Sequence, residues 1–370
     1  MRFLVFARKL ILTLKRRPMV SLFPILPIIM DTNNMAIMSN HGVALIIALL
    51  CAVFSLFVAL SFGAAPTSLA DVYHSLTFSS EASFTSRIII ELRMPRTLLA
   101  FLAGSGLAIA GLILQTVTRN PLADPYLFGI SSGASLGVVV LMAFVGIGAG
   151  IALSAAALIG SLVAMGLLIL IAGSQRNAQV ESMLLAGVAL SFLFSAFTSL
   201  LLYWSDPQAV AAILFWTLGS FARAQWPSLL LPALVIITCT VIMLGFRRQL
   251  NAMLLGDESA TTLGVRVHRF RILMLILSSL ITAVLVAMCG GIGFVGLMVP
   301  HIVRFFISQG SSVGLLMTGL VGGIFMVWVD VLARSLLANQ ELPIGVITAA
   351  IGSLFFLSIL YFRKRQLVGK

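Results

Sequence analysis

Charged side chains are what this sequence has least of: Asp, Glu, Lys and Arg together make up 9% of its 370 residues, and only 11 residues are acidic. Ordinary globular chains carry roughly a quarter charged residues, so a surface this poor in charge is not built to face water. Cysteine is equally thin. Cys51, Cys239 and Cys289 lie far apart inside apolar runs, where a thiol behaves as a small hydrophobe, and neither a disulfide framework nor a metal site is expected from them. The 4 histidines are scattered and supply no ligand cluster and no nucleophile with its base, which argues against a membrane-embedded enzyme. The phosphate-loop pattern G-x-x-x-x-G-K-[ST] does not occur in the chain, so any nucleotide hydrolysis must come from a partner. No cofactor is expected.

Apolar length is what the sequence has instead. Hydrophobic residues make up 60% of the chain and the mean hydropathy is +1.14. A window of about 20 residues, the helix length that crosses roughly 30 Å of hydrocarbon, picks out about ten segments. They run over 43–62, 97–117, 126–145, 151–172, 182–203, 228–246, 271–289, 292–308, 313–335 and 344–362. Backbone amides in lipid need internal partners, and single-pass segments of this length obtain them only as helices. The expected fold is therefore all-α, a polytopic membrane protein over residues 41–370, preceded by a separate extension over 1–40.

The net charge of +12 does not point to nucleic acid, because Lys and Arg fall in short clusters between apolar stretches without interleaved aromatics. They read as topology signals. With the N-terminus inside, Arg119, Arg176, the group Arg247, Arg248, Arg266, Arg269 and Arg271, and the tail Arg363, Lys364, Arg365 and Lys370 all fall on the cytoplasmic side. An even number of spans then places both termini there. Arg87, Arg93, Arg96, Arg223 and Arg334 fall outside and need another reason. In the extension, Arg8, Lys9, Lys15, Arg16 and Arg17 precede Pro18, and Pro24 and Pro27 break the apolar core that a cleaved signal peptide requires. A basic, poorly ordered or interfacial segment is expected, with Met30, Met35 and Met38 as alternative starts.

Within the apolar region, Gly129, Gly133 and Gly137 fall on one helical stripe, as do Gly104 and Ala108, a spacing that lets membrane helices pack closely. The run QTVTRNPLADPYLFGISSG, from Gln115 to Gly133, is less regular. Pro121 and Pro125 remove amide donors and bias Asn120 and Asp124 away from helix, while those two side chains can cap or form Asx turns. A structured turn is expected there at the cytoplasmic end, beside a passage, since non-helical backbone at membrane depth survives only in protein or at a water-filled cavity. Asp330 and Arg334, four apart, can pair on one helix face. Gln115 either lines the pathway or hydrogen-bonds across helices, and His301 after Pro300 reads as structural rather than as a haem ligand. The longest inside loop, RRQLNAMLLGDESATTLGVRVHRFR over 247–271, has Asn251 as a cap, Gly256 and Gly264 as stops, and Asp257 and Glu258 before Ser259 as a second start. Two short helices around a glycine turn are expected.

Four stretches together carry a family resemblance: RMPR from Arg93 to Arg96, RNPLADP from Arg119 to Pro125, GGIGFVGLMVPHIVR from Gly290 to Arg304, and ELPIGVITAAIG from Glu341 to Gly352. In this order and spacing they resemble the FecCD-type permeases, the membrane subunits of type II ABC importers for siderophores, haem and vitamin B12, over residues 43–362. At Gly352-Ser353-Leu354 the chain departs from the pattern, because many relatives place a proline after the small residue.

The resemblance implies a homodimer in the inner membrane, with a pathway along its axis. It also implies two copies of a separate ATPase on the cytoplasmic side and a periplasmic binding protein on the other. Arg93, Arg96 and Arg334 match arginines that receive glutamates from the two lobes of the binding protein; anchoring to lipid headgroups is the competing account. Leu255, Gly256, Asp257, Glu258, Ser259, Ala260, Leu263 and Gly264 match the coupling element that docks in the ATPase. Asn120, Leu122, Val180 and Glu181 match the cytoplasmic gate of the family's B12 importer, with Gln115 as a pathway candidate. Glu181 stands where the family has a small polar residue, and an exposed loop carboxylate accounts for it equally well. Family frequency favours a ferric siderophore as cargo, ahead of haem, cobalamin and molybdate. A proton-coupled secondary transporter is the alternative class; its intramembrane carboxylate relay would have to use Asp330 and Glu341.

Overall fold

The computed structural model describes residues 41–63, 65–77, 83–146, 150–173, 180–307, 312–337 and 340–368; the expected N-terminal extension lies outside the described residues. The secondary structure there is helical, apart from an isolated bridge between Leu337 and Gln340. In chain order the helices are α1 (His41–Ala59), α2 (Leu69–Thr77), α3 (Phe84–Arg87), α4 (Met94–Thr118), α5 (Ile130–Val145), α6 (Ile151–Gly173), α7 (Val180–Trp204) and α8 (Pro207–Thr217). There follow α9 (Trp226–Gly245), α10 (Arg247–Leu254), α11 (Asp257–Thr262), α12 (Val267–Cys289), α13 (Val295–Arg304), α14 (Ser312–Ser335) and α15 (Ile344–Val368). A π-helical stretch, Ile88–Arg93, fuses α3 to α4.

Three helices form the centre. The apolar spans of α4, α12 and α14 are 78%, 72% and 61% buried inside the protein, whereas those of α1, α6, α7, α9 and α15 are 17 to 33% buried. Because the outer set is apolar on the faces it leaves open, its surroundings must be lipid or another protein and not water. Small residues set the central contacts. At the α4–α14 crossing, a methyl group on Gly104 would stand 2.0 Å from the Gly322 carbonyl oxygen. At the α5–α6 crossing, one on Gly137 would stand 2.2 Å from the Ala156 carbonyl. Without a hydrophobic drive between helices in lipid, such backbone approach is what packing can gain. Gly133 shares the α5–α6 contact, but Gly129 does not: it lies in the left-handed turn before α5 and faces α7 near Gly187 and Leu190.

Of the ten expected spans, eight are helices long and apolar enough to cross a membrane. The other two are shorter. The segment expected over 126–145 begins as a 3-10 turn, Pro125–Phe128, and continues as the 16-residue α5. The one expected over 292–308 is the 10-residue α13, because Gly290 and Phe294 adopt positive φ and hold 290–294 out of helix. That irregular backbone is satisfied internally: Ser220 donates to the Cys289 carbonyl at 2.8 Å, and Ile292 N–H donates to the Tyr126 hydroxyl at 2.7 Å. The α8 helix was not expected. Its cue was local: Asp206 accepts from the amides of Gln208 and Ala209, and Pro207 occupies the first turn.

Candidate functional site

Residues with functional potential gather at the two ends of the bundle. At one end, which the sequence-based topology makes the outer one, the π-helical stretch and the start of α4 bring Arg93 and Arg96 beside Asp330 and Arg334 of α14 and beside Glu341. Arg93 is buried. One terminal nitrogen donates to the carbonyls of Leu60 at 2.9 Å and Ser61 at 3.2 Å and to the Thr67 hydroxyl, and the other donates to the Ala65 carbonyl at 2.6 Å. Its donors are thus spent on closing the 60–67 loop. Arg96 pairs through Nε with Asp330 at 2.9 Å and through a terminal nitrogen with Glu341 at 2.6 Å. Arg334 pairs with Asp330 at 3.1 Å and also donates to the carbonyls of Phe62 and Ala59.

The three arginines lie at one end of the bundle, and Arg334 pairs with Asp330 as its spacing suggested; the side chains of Arg96 and Arg334 are 12% and 5% exposed, while that of Glu341 is 48% exposed. Burying guanidinium groups requires carboxylates and carbonyls close by, and the fold supplies them. All three arginines line an open basin of about 1190 Å³ together with Ala224, Gln340 and Glu341. Sequence reasoning missed Glu341 as the partner of Arg96; its only signal was its place at the head of the ELPIGV stretch. Asp330 is held between two arginines, Arg96 and Arg334.

At the opposite end, Gln115 hydrogen-bonds across helices, the second of the two roles considered for it. It donates to the Gly296 carbonyl at 2.8 Å and accepts from Arg304, bridging α4 to α13. Arg119 ends α4 in the left-handed conformation. Asn120 makes the expected Asx turn, accepting from Leu122 N–H at 2.9 Å, and Leu122 projects outward. Asp124 caps the 3-10 turn through Tyr126 N–H at 2.8 Å, and burial lifts its carboxyl to about 6, an effect that the Tyr126 hydrogen bond opposes. Val180 is half-buried and Glu181 exposed, both in the first turn of α7, where a carboxylate complements the helix dipole. The 3-10 turn meets α7 further along, where a methyl group on Gly187 would stand 2.7 Å from the Leu127 carbonyl. His301 packs edge-on against Phe305, at a ring separation of 5.3 Å, and against Phe355.

The 247–271 loop forms the two short helices that the sequence suggested, α10 and α11. Gly256, at φ 111°, separates them, and Gly264, at φ 83°, follows the second. Both conformations disfavour any side chain. Asn251 lies inside α10 and is not a cap; α10 begins directly at Arg247, after Phe246, so no capping side chain is used. Asp257 does the holding. Both its oxygens lie 2.9 Å from one terminal nitrogen of Arg271, and Arg119 approaches it at 3.5 Å. Arg271 in turn donates Nε–H to the Val117 carbonyl at 3.1 Å. Ala260 is buried, Glu258 and Ser259 face outward, and Leu255 and Leu263 are 67% and 64% exposed. The two leucines give an otherwise polar loop an apolar outer surface.

A bundle of lipid-facing helices around a tight glycine-packed centre, with a charged basin at one end and a clamped knob at the other, defines a multi-pass membrane transport subunit. The chain belongs to the FecCD transport family, whose pattern matches residues 49–362. It is similar to the hemin transport system permease protein HmuU of Yersinia pestis, at 38% identity over 76% of this chain and 85% of that protein. It is also similar to the molybdate import system permease protein MolB of Haemophilus influenzae Rd, at 36% identity over 75% and 82%. A solved inward-facing structure, described as a metal-chelate type ABC transporter, superposes with a TM-score of 0.77 at 32% identity, covering 86% of this chain and 98% of that one. The protein is thus an ABC importer permease for a metal chelate or related substrate, and ATP hydrolysis belongs to a separate subunit.

Proposed function

We propose that two copies of this chain form the inner-membrane pathway of an importer for a ferric siderophore, with both termini cytoplasmic. A periplasmic binding protein delivers cargo to the outer basin, and two ATPase subunits grip the knobs formed by Leu255 to Gly264. The observation that carries the coupling role is the pair of exposed leucines on a knob clamped by Asp257 to Arg271 and Arg119. Family frequency favours the siderophore, and the likeness to a metal-chelate type transporter supports a metal chelate in general, while hemin and molybdate are the cargoes named for the two permeases above. On this reading, Arg93, Arg96 and Arg334 form the docking face, and Asn120, Leu122, Val180, Glu181 and Gln115 border the inner gate.

The test is uptake into vesicles holding the chain with its ATPase, supplied with the binding protein and a radiolabelled ferric siderophore, hemin, cobalamin or molybdate. Vanadate-sensitive uptake of the siderophore alone is expected. Preferential uptake of another cargo would reassign the substrate. Uptake that ignores vanadate and collapses with a proton ionophore would replace the importer by a secondary transporter.

A further inference from the structure

Near the cytoplasmic side, α9 and α14 both pack on α4, and a narrow groove runs between them. Leu112 and Ile113 of α4 form its floor, Met243 and Leu244 of α9 and Leu315 of α14 its walls. Its cytoplasmic end carries two arginines, Arg247 at the start of α10 and Arg304 at the end of α13. Arg247 is exposed and donates to the Ser312 hydroxyl at 3.1 Å, which leaves most of its fork free. Arg304 donates from a terminal nitrogen to Gln115, but its Nε–H is buried and has no acceptor among the described residues. Buried donors are nearly always satisfied, so an orphan of this kind calls for an acceptor. No carboxylate lines the groove. An acceptor that enters from outside and matches cations at the mouth of an oily channel is anionic and partly apolar.

We propose that this groove binds an anionic phospholipid of the cytoplasmic leaflet. The phosphodiester sits between Arg247 and Arg304, and an acyl chain follows Leu112, Leu244 and Leu315 into the membrane. Guanidinium forks match phosphate oxygens in shape and charge, and basic pockets between membrane helices on the cytoplasmic side suit acidic headgroups. Lipid reaches the rim, since Ile237 and Val241 of α9 and Leu316 of α14 are exposed beside it. The site also ties the first residue of α10 to the leaflet, so an acidic lipid steadies the base of the knob.

The test uses the full-length chain, delipidated in detergent, with thermal unfolding followed as phosphatidylglycerol, phosphatidylcholine or glycerol phosphate is added. Phosphatidylglycerol should raise the melting temperature, and the other two should not. Arg247→Gln should weaken phosphatidylglycerol binding roughly tenfold, the lower end for losing a hydrogen bond to a charged group. Leu244→Trp, which fills the channel while keeping both arginines, should weaken it as well. Equal stabilisation by phosphatidylcholine, or unchanged phosphatidylglycerol binding in both variants, overturns the proposal. Stabilisation by glycerol phosphate equal to that by the lipid also overturns it, leaving a phosphate site with no acyl channel.

Discussion

Replacing Asp257 by Asn tests how the knob is held to the bundle. The side chain of Arg271 is 5% exposed and that of Asp257 41%, so the pair falls between two limits. Exposed pairs contribute about 0.2 to 1 kcal/mol, and removing one partner of a buried pair costs about 3 to 5 kcal/mol. An amide at position 257 keeps one acceptor but loses the negative charge, leaving the buried Arg271 guanidinium with two neutral acceptors, the amide oxygen and the Val117 carbonyl. A loss of about 2 kcal/mol is expected. The Arg119 contact is weaker on every count: it is longer, at 3.5 Å, and both side chains are roughly half exposed, at 48% and 41%, so Arg119→Ala should cost under about 0.5 kcal/mol. Equilibrium unfolding in mixed micelles of the single and double variants measures both couplings. A strong Asp257–Arg271 coupling beside a near-zero Asp257–Arg119 coupling is expected. Equal couplings, or none for the Arg271 pair, would refute the view that Asp257 clamps the knob.

Other outcomes follow from the same geometry. Gly256→Leu or Gly264→Leu forces a side chain into positive φ at a cost of about 1 to 2 kcal/mol; the permease should still fold, while ATPase binding and vesicle uptake are lost. A single reactive cysteine replacing Arg223 should label with an impermeant reagent from outside, and one replacing Arg266 only after permeabilisation; reversed labelling inverts the topology. Asp124, lifted from 3.8 to about 6 in the folded protein, keeps a proton that the unfolded chain has released between those values. Stability should therefore fall as pH rises through that window, by roughly 3 kcal/mol, and level off above it. Asp124→Asn should flatten that slope in pH-dependent unfolding. At the outer basin, Arg96→Glu should weaken docking of the binding protein and cut uptake, whereas Glu341→Gln, which frees a donor of Arg96, should strengthen docking; unchanged docking in both would assign these groups to internal structure alone.

The helices were legible because lipid imposes one rule on every span, and an apolar stretch of sufficient length obeys it whatever its neighbours are. Length failed where backbone geometry intervened. The segment at 292–308 is apolar throughout, yet positive φ at Gly290 and Phe294 cuts the helix to Val295–Arg304. Composition is blind to a kink whose hydrogen bonds are returned by distant groups such as the Tyr126 hydroxyl. The knob at 247–271 was legible for the opposite reason. Glycines, acidic residues and short apolar turns dictate it locally, and only the Asn251 cap went astray, because α10 starts against Phe246 without a capping side chain.

The outer arginines show where a single sequence stops. The Asp330–Arg334 pair followed from helical spacing, a one-dimensional fact, and counting spans assigns the arginines a side of the membrane that the labelling experiment tests. Their other partners are not such facts, because Arg96 meets Glu341 across 245 residues and Arg93 finds its acceptors on backbone carbonyls, which every residue carries. A carbonyl acceptor leaves no mark in composition or spacing. The consequence for function is direct. A guanidinium already satisfied gains from an incoming carboxylate only the difference between the new partner and the old one. Within the proposed docking face, Arg93 is the least exchangeable, because it ties Leu60, Ser61, Ala65 and Thr67 together. Arg96, held by the half-exposed Glu341, can exchange one carboxylate for another without leaving a charge unpaired, so on that proposal it is the arginine whose charge reversal should weaken docking most.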